Sequence, residues 1–154
     1  MATACFTGHR KLPPKEIPAI KKRLKNVLID CIENGYQYFG AGGALGFDTL
    51  AATTVLELKS EYPHIRLILV LPCHNQAVSW SDSDNEKYER IKLKADKVVY
   101  TAERYYTGCM QRRNRYLVDN SSLCICCLTE QKGGTAYTVE YAKKKGLEII
   151  NTAK

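Results

Sequence analysis

Short apolar runs alternate with longer amphipathic stretches along the whole chain. Apolar residues recur at helical spacing from Ile17 to Ile32, and Gly35 supplies a C-terminal stop. The run IRLILVLP at 65–72 is apolar on both faces, which is typical of a central strand in a parallel sheet. The same reasoning predicts further strands at 3–7, 36–39, 97–102, 123–128 and 147–152, and further helices at 48–59, 81–95, 107–120 and 135–145.

This alternation predicts an α/β fold: a Rossmann-like, doubly wound, mostly parallel sheet of five to six strands with helices on both faces. The 154 residues, 45% of them hydrophobic, suffice for one well-packed domain, and no linker or repeat interrupts them. We therefore treat 1–154 as a single domain. In such folds ligands bind beyond the carboxyl ends of the strands, where the strand order reverses. Functional residues are therefore expected directly after strands.

Composition and charge add few constraints. No run approaches the ~20 apolar residues of a membrane helix, and the N-terminus lacks the basic and apolar regions of a secretory signal. The seven cysteines, mostly within apolar runs, indicate reduced thiols in a cytoplasmic protein without membrane contact. Cys73, His74 and Cys109 do not have a diagnostic ligand spacing, so no metal site is predicted. The net charge of +7 is compatible with either a nucleotide or a nucleic acid.

The segment FGAGGALGFDTLAA at 39–52 places four glycines and an aspartate between a predicted strand and a predicted helix. Small residues in front of a helix N-terminus let a phosphate approach free backbone amides. The alternative is a tight turn that uses glycine for its backbone angles alone. The segment is not a standard dinucleotide fingerprint, because its glycine spacing differs, and it lacks the GK[ST] of a P-loop.

Several short motifs resemble one protein superfamily. GGALGFDTLAA is similar to the [S/G]GxAxG[I/F]DxxA segment of Smf/DprA proteins, and KGGTAYTVEYA resembles the PGGxGT segment of LOG-type phosphoribohydrolases. MQRRNRYLVDNSSLCICC resembles a segment that these proteins share, and CFTGHR resembles the start of YpsA-like members. In their order and spacing from Cys5 to about Gly146, the motifs together resemble the SLOG superfamily near its YpsA branch.

This resemblance implies a Rossmann-like fold, frequent dimers and a pocket for a nucleotide or a nucleotide-derived ligand such as ADP-ribose. We therefore expect a homodimer, and no cofactor is predicted. Carried over by position, the ligand-binding residues fall into four groups. They are Thr7, Gly8, His9 and Arg10 after the first strand; Gly42, Gly43, Gly46 and Asp48 in the glycine turn; Arg113 and Asn114 in the fourth helix; and Gly133, Gly134 and Thr135 before the last helix.

The residues alone leave several roles open. Arg113 is suited to a bidentate grip on a phosphate, or it lies on the helix surface. Asp48 either accepts hydrogen bonds from ribose hydroxyls or caps the second helix. His9 either donates to a phosphate or packs at a strand end. Trp80, the single tryptophan, either stacks on a base or anchors its loop.

Hydrolysis of the ligand is a separate question. LOG-type enzymes cleave the N-glycosidic bond of nucleoside monophosphates with a glutamate three residues after the GT threonine, and Thr138 occupies that position here. We therefore favour binding, in a sensing or regulatory role, and leave catalysis undecided. The alternative is a phosphoribohydrolase that uses an acid from elsewhere: Asp48, Glu103 or Glu140. Single-stranded nucleic-acid binding, as in Smf/DprA proteins, ranks third and draws support from interleaved tyrosines and arginines at 104–116.

Overall fold

The computed structural model describes residues 2–154, in which strands and helices alternate. The strands are β1 (Ala2–Gly8), β2 (Tyr36–Ala41), β3 (Arg66–Leu71), β4 (Lys97–Tyr100), β5 (Leu123–Cys127) and β6 (Glu148–Asn151). The helices are α1 (Ile17–Glu33), α2 (Phe47–Leu58), α3 (Asp82–Lys94), α4 (Cys109–Asp119) and α5 (Gly134–Lys144). Every predicted element is present, and no end is shifted by more than two residues.

One sheet contains all six strands, in the order β4-β3-β2-β1-β5-β6. Every neighbouring pair is parallel, so the sheet is wholly parallel rather than mostly parallel. The predicted α/β, Rossmann-like fold class is confirmed. The strand order reverses at β1, which pairs with β2 on one side and β5 on the other, with Gly8 opposite Cys127. The predicted binding crevice therefore lies beyond the carboxyl ends of β1 and β5.

Helices cover both faces of this sheet. α1, α2 and α3 pack on one face, where the ring of Phe6 lies 6.3 Å from those of both Phe39 and Phe47. α4 and α5 pack on the other face around Cys124 and Cys126 of β5. Burial raises the pKa of Cys126 to about 12, so its thiol stays protonated and acts as a small apolar group. The two cores hold the strand ends, and hence the crevice, in a fixed arrangement.

Local signals explain where the helices begin and end. Pro18 lies in the first turn of α1, and Gly35, with a φ of 95°, directly follows its C-cap residue, Asn34. Ser81 caps α3 by accepting a hydrogen bond from the backbone N of Asp84 at 3.1 Å. Within residues 2–154, no helix has the length and apolar character needed to cross a bilayer.

Candidate functional site at the strand-order switch point

A cavity of about 280 Å³ opens where the strand order reverses. Four segments enclose it: the loop after β1, the glycine turn before α2, the first turns of α4 and the start of α5. Doubly wound sheets bind their ligands at this position. We refer to it as the switch-point cavity. Its lining consists of Thr7, Gly8, His9, Arg10, Ala44, Asp48, Met110, Arg113, Asn114, Gly134 and Thr135.

The lining contains most of the residues predicted to bind a ligand. The predicted residues that lie outside it are Gly42, Gly43, Gly46 and Gly133. Sequence reasoning missed two lining residues, Ala44 and Met110. Met110 precedes Arg113 by three residues on α4, so the helical spacing that places both on one face was an available signal.

Arg113 contributes a buried guanidinium group and is only 4% exposed. Its Nη1 donates a hydrogen bond to the carbonyl oxygen of Gly42, and its Nε donates to Oδ1 of Asn114 at 2.8 Å. Burial lowers the pKa of Arg113, because the charged form loses hydration, and the nearby carboxylate of Asp48 opposes this shift. The guanidinium is therefore held by protein acceptors inside the site and does not lie on the helix surface.

Asp48 places a carboxylate in the same cavity and is 6% exposed. Its Oδ2 accepts a hydrogen bond from the backbone N of Ala44 at 3.3 Å, while Oδ1 has no hydrogen-bond partner among the described residues. Burial raises the pKa of Asp48, and the positive charge of Arg113 opposes that rise. Asp48 thus orders the turn before α2, and no side chain in the described part of the chain caps that helix. An unpartnered buried carboxylate oxygen is an unsatisfied acceptor, and such groups are often found at functional sites.

The glycines of the turn before α2 face protein atoms. A Cβ on Gly42 would lie 2.6 Å from Nη1 of Arg113 and 2.9 Å from Oδ2 of Asp48. A Cβ on Gly43, which has a φ of 73°, would lie 2.5 Å from Cδ2 of Leu71 on the core side. Gly46 lies against the backbone of the loop after β1. The backbone angles of a tight turn therefore account for Gly43 and Gly46. At Gly42 the groups that come close to the backbone are the side chains of Arg113 and Asp48.

His9 joins the two loops on either side of the switch point. Its Nε2 accepts a hydrogen bond from the backbone N of Thr129 at 3.1 Å. In a neutral imidazole with Nε2 as acceptor, Nδ1 carries the proton. His9 therefore ties the loop after β1 to the loop after β5, and it also lines the cavity.

The start of α5 presents open backbone to the cavity. In the described part of the chain no side chain caps this helix, which follows Gly133. A Cβ on Gly134 would meet no described atom within 4 Å. Amides in the first turn of a helix lack partners within the helix and attract anions. Gly134 and Thr135 therefore form an accessible, anion-attracting wall of the cavity.

Three acids were considered as alternatives to the LOG-type glutamate, and within residues 2–154 Asp48 is the only one of them that lines the cavity. Glu103 has a side chain that is 91% exposed, and Glu140 is also exposed. Thr138, at the position of the LOG-type glutamate, is buried outside the lining, and its Oγ1 donates to the carbonyl oxygen of Gly134 at 2.8 Å. The described chain contains no group of three or more His, Cys, Asp or Glu side chains arranged to share a metal ion.

Comparison with known proteins identifies the family of this chain. A model of the YpsA family, described as the YspA SLOG family, matches residues 7–150. The chain belongs to this SLOG family. A UPF0398 protein of Bacillus cereus (strain ATCC 14579) is 35% identical over 138 residues, which cover 88% of this chain and 74% of the relative. A UPF0398 protein of Halalkalibacterium halodurans is 36% identical over 132 residues, covering 84% and 70% respectively. The predicted resemblance to the YpsA branch is confirmed.

Two solved structures share the fold of this SLOG chain. DNA processing protein A from Helicobacter pylori, described for its single-stranded DNA binding mode, superposes with a TM-score of 0.67 at 19% identity, over 96% of this chain and 63% of that one. The X-ray structure of TM1055 gives a TM-score of 0.62 at 17% identity, over 97% and 72%. At these identities the likeness establishes the Rossmann-like architecture alone.

Proposed function

We propose that the protein binds a nucleotide or a nucleotide-derived ligand, such as ADP-ribose, in the switch-point cavity and acts as a sensor or regulator. The observation that carries this proposal is the buried guanidinium of Arg113 beside the unpartnered carboxylate oxygen of Asp48, in a cavity that also contains the open start of α5. Buried charged groups with unsatisfied valences are costly unless a ligand completes them.

Each part of such a ligand has a matching group in the cavity. A phosphate would receive backbone N–H donors from Gly134 and Thr135 and positive charge from Arg113. The hydroxyls of a ribose would donate to the carboxylate of Asp48, which lines the cavity. Placed this way, the anionic end lies against α5 and the sugar lies against the turn before α2. The ligand would give hydrogen-bond partners to both buried side chains at once.

N-glycosidic hydrolysis is less well supported than binding. A carboxylate that stabilises an oxocarbenium-like transition state must be ionised and lie against the sugar. In the described lining this role falls to Asp48 alone, and burial raises the pKa of that residue, which disfavours its ionised form. We therefore propose a site that retains its ligand.

Two experiments test binding against turnover. Mass spectrometry of small molecules released from purified, denatured protein should identify a phosphate-bearing nucleoside derivative. Incubation with the common nucleoside monophosphates should release no free base above a protein-free control. Release at a typical enzymatic rate, ~1–10³ per second, would replace the binding proposal with a phosphoribohydrolase.

Single-stranded nucleic-acid binding is a second candidate, because one surface carries suitable side chains. Tyr105, Tyr106 and Tyr116 are exposed large aromatics on and before α4. Arg112 lies among them, with its Nη1 donating to the hydroxyl of Tyr106 at 3.3 Å. Exposed aromatics beside arginines are the usual elements of a single-strand groove. Titration with oligonucleotides at two salt concentrations tests this candidate; tight binding that persists at physiological salt would favour it over the nucleotide site.

We further propose that 1–154 acts as one domain and that the chain forms a homodimer. Membership of all six strands in one sheet supports the first statement. The second rests on the family resemblance. Light scattering on the purified protein should give twice the mass of the 17.4 kDa chain, and a monomeric mass at micromolar concentration would contradict it.

A further inference from the structure

A second cavity, of about 360 Å³, adjoins the switch-point cavity, and Arg10 and Met110 line both. It lies between the loop after β3 and the loop after β4. Its other lining residues are Asn75, Gln76, Val78, Ser79, Trp80 and Tyr105. The first cavity contains buried charges, whereas neutral amide and aromatic side chains dominate the second. A ligand spanning both would have a charged end and a neutral, flat end.

Hydrogen bonds fix the two loops relative to one another. Oδ1 of Asn75 accepts from the backbone N of Tyr105 at 3.2 Å, and the backbone N of His74 donates to the carbonyl oxygen of Glu103 at 3.2 Å. Both bonds cross from the loop after β3 to the loop after β4. The second cavity is therefore held open by the fold rather than formed by chance contacts of side chains.

Two aromatic side chains line this cavity. Trp80 packs edge-on against Tyr88 of α3, with ring centroids 5.1 Å apart, and Nδ2 of Asn85 binds its carbonyl oxygen at 3.3 Å. Tyr105 is 62% exposed, although its backbone is fixed by Asn75. An anchored indole and an available phenol in one cavity are suited to a planar ring, because aromatic faces stack on nucleobases with little regard to sequence.

Gln76 adds an unsatisfied polar group. It is only 8% exposed, and its Nε2 lies within hydrogen-bond distance of the hydroxyl of Tyr88, at 3.3 Å. The other end of the amide, Oε1, has no partner among the described residues. Buried side-chain amides normally use both ends, and Asn and Gln amides are among the side chains that hydrogen-bond to the edges of bases.

We propose that this second cavity is the base subsite of the ligand, so that the base lies beside Trp80 and Tyr105 while the phosphate lies at α5. This inference rests on the proposed nucleotide-binding function. Cavity size supports it: small-molecule sites span roughly 300–1,000 Å³. The switch-point cavity, at about 280 Å³, lies just below that range, and the second cavity, at about 360 Å³, lies near its lower end. The two joined cavities accommodate a nucleoside phosphate better than either alone.

The single tryptophan provides a direct readout of the base subsite, since Trp80 lines it. Adenosine monophosphate (AMP) and ribose 5-phosphate share the sugar and the phosphate, and only AMP carries a base. Calorimetry should show both probes binding to the wild-type protein, with AMP at least fivefold tighter, a difference of about 1 kcal/mol. AMP should also change the fluorescence of Trp80, and ribose 5-phosphate should leave it unchanged.

Two neighbouring tyrosines provide a matched pair of variants. Tyr105→Ala should weaken AMP at least fivefold and leave ribose 5-phosphate unchanged, because the Asn75 bond to the backbone of residue 105 survives. Tyr106→Ala, at an exposed position outside the lining, should change neither. Equal affinity for both probes in the wild-type protein, or AMP binding that is insensitive to Tyr105→Ala, overturns the base subsite and leaves the proposed function intact. Binding of neither probe overturns the base subsite, and a failure of ADP-ribose to bind as well overturns the proposed function.

Discussion

The turn before α2 and the turn before α5 look alike in the sequence, since each places paired glycines in front of a helix. Their surroundings differ. A Cβ on Gly42 would meet Arg113 and Asp48, and one on Gly46 would meet the backbone of Arg10. A Cβ on Gly134 would meet no described atom within 4 Å. The first turn is filled by the protein's own groups, and the second is open.

This difference separates two uses of glycine in one site. In the turn before α2, glycine lets side chains and backbone of the protein pack closely, which places Asp48 and Arg113 in the cavity. In the turn before α5, the same residue type leaves the helix amides accessible. A substitution should therefore affect stability at the first turn and ligand affinity at the second.

The largest expected effect is on folding, in a comparison of Gly46→Ala with Gly134→Ala. Gly46 has a φ of 79°, and its Cβ would collide with the carbonyl oxygen of Arg10, so we expect a loss of about 3 kcal/mol or more in the free energy of unfolding. Gly134→Ala should change it by no more than about 0.5 kcal/mol. Urea denaturation measures both. Similar losses in the two variants would remove the distinction between a filled turn and an open one.

Arg113→Gln should have the next largest effect, on ligand affinity. Loss of a charge-assisted contact with phosphate costs about 1.5–3 kcal/mol, which is tenfold or more in affinity for AMP by calorimetry. Arg112→Gln is the matched control, because Arg112 is the adjacent residue on α4 and is exposed. Circular dichroism should confirm that both variants fold. A twofold or smaller change in the Arg113→Gln variant would place the anion site elsewhere.

Asp48→Asn should have the smallest effect, a pH-dependent gain in stability. Burial raises the pKa of Asp48 above its ordinary value of 3.8, so the folded state holds this proton where the unfolded state has lost it. Ionisation of Asp48 therefore costs stability as pH rises above about 4. Asn removes that cost, and the variant should exceed the wild type in unfolding free energy at pH 7, with the gain shrinking toward pH 4. Urea denaturation across this range measures it; a gain that grows toward pH 4 would contradict the assignment.

The sequence alone predicted the elements, the sheet class and most of the cavity lining. Period and length of the apolar segments determine which residues form strands and helices, and parallel strands bring their carboxyl ends to one edge. This pattern predicts that the segments after β1 and before α5 lie at the site, whereas the individual residues, Asp48, Arg113 and Asn114 among them, were carried over from the resemblance to the SLOG superfamily. Ala44 and Met110 could have been predicted from their neighbours. Ala44 follows a predicted residue in the turn before α2, and Met110 lies one helical turn before a predicted residue on α4.

The remaining features depend on packing between segments that are distant in the chain. A Cβ on Gly43 would collide with Leu71 because Gly43 has a positive φ and Leu71 packs next to it. Neither feature is visible in the glycine pattern. The second cavity arises because Asn75 fixes the loop that carries Tyr105, thirty residues later. Gln76 resembles any loop glutamine until its burial and its unpartnered oxygen are known.

Calorimetric titration of AMP into the wild-type protein and Gly134→Val tests the central claim most directly. The claim is that a phosphate binds the open start of α5 within the switch-point cavity. A branched side chain at residue 134 has space in the fold but occupies the approach to the amides, so we predict at least tenfold weaker binding with unchanged unfolding by urea. Equal affinity in the two proteins, or no binding of AMP or ADP-ribose by the wild type, would contradict the claim.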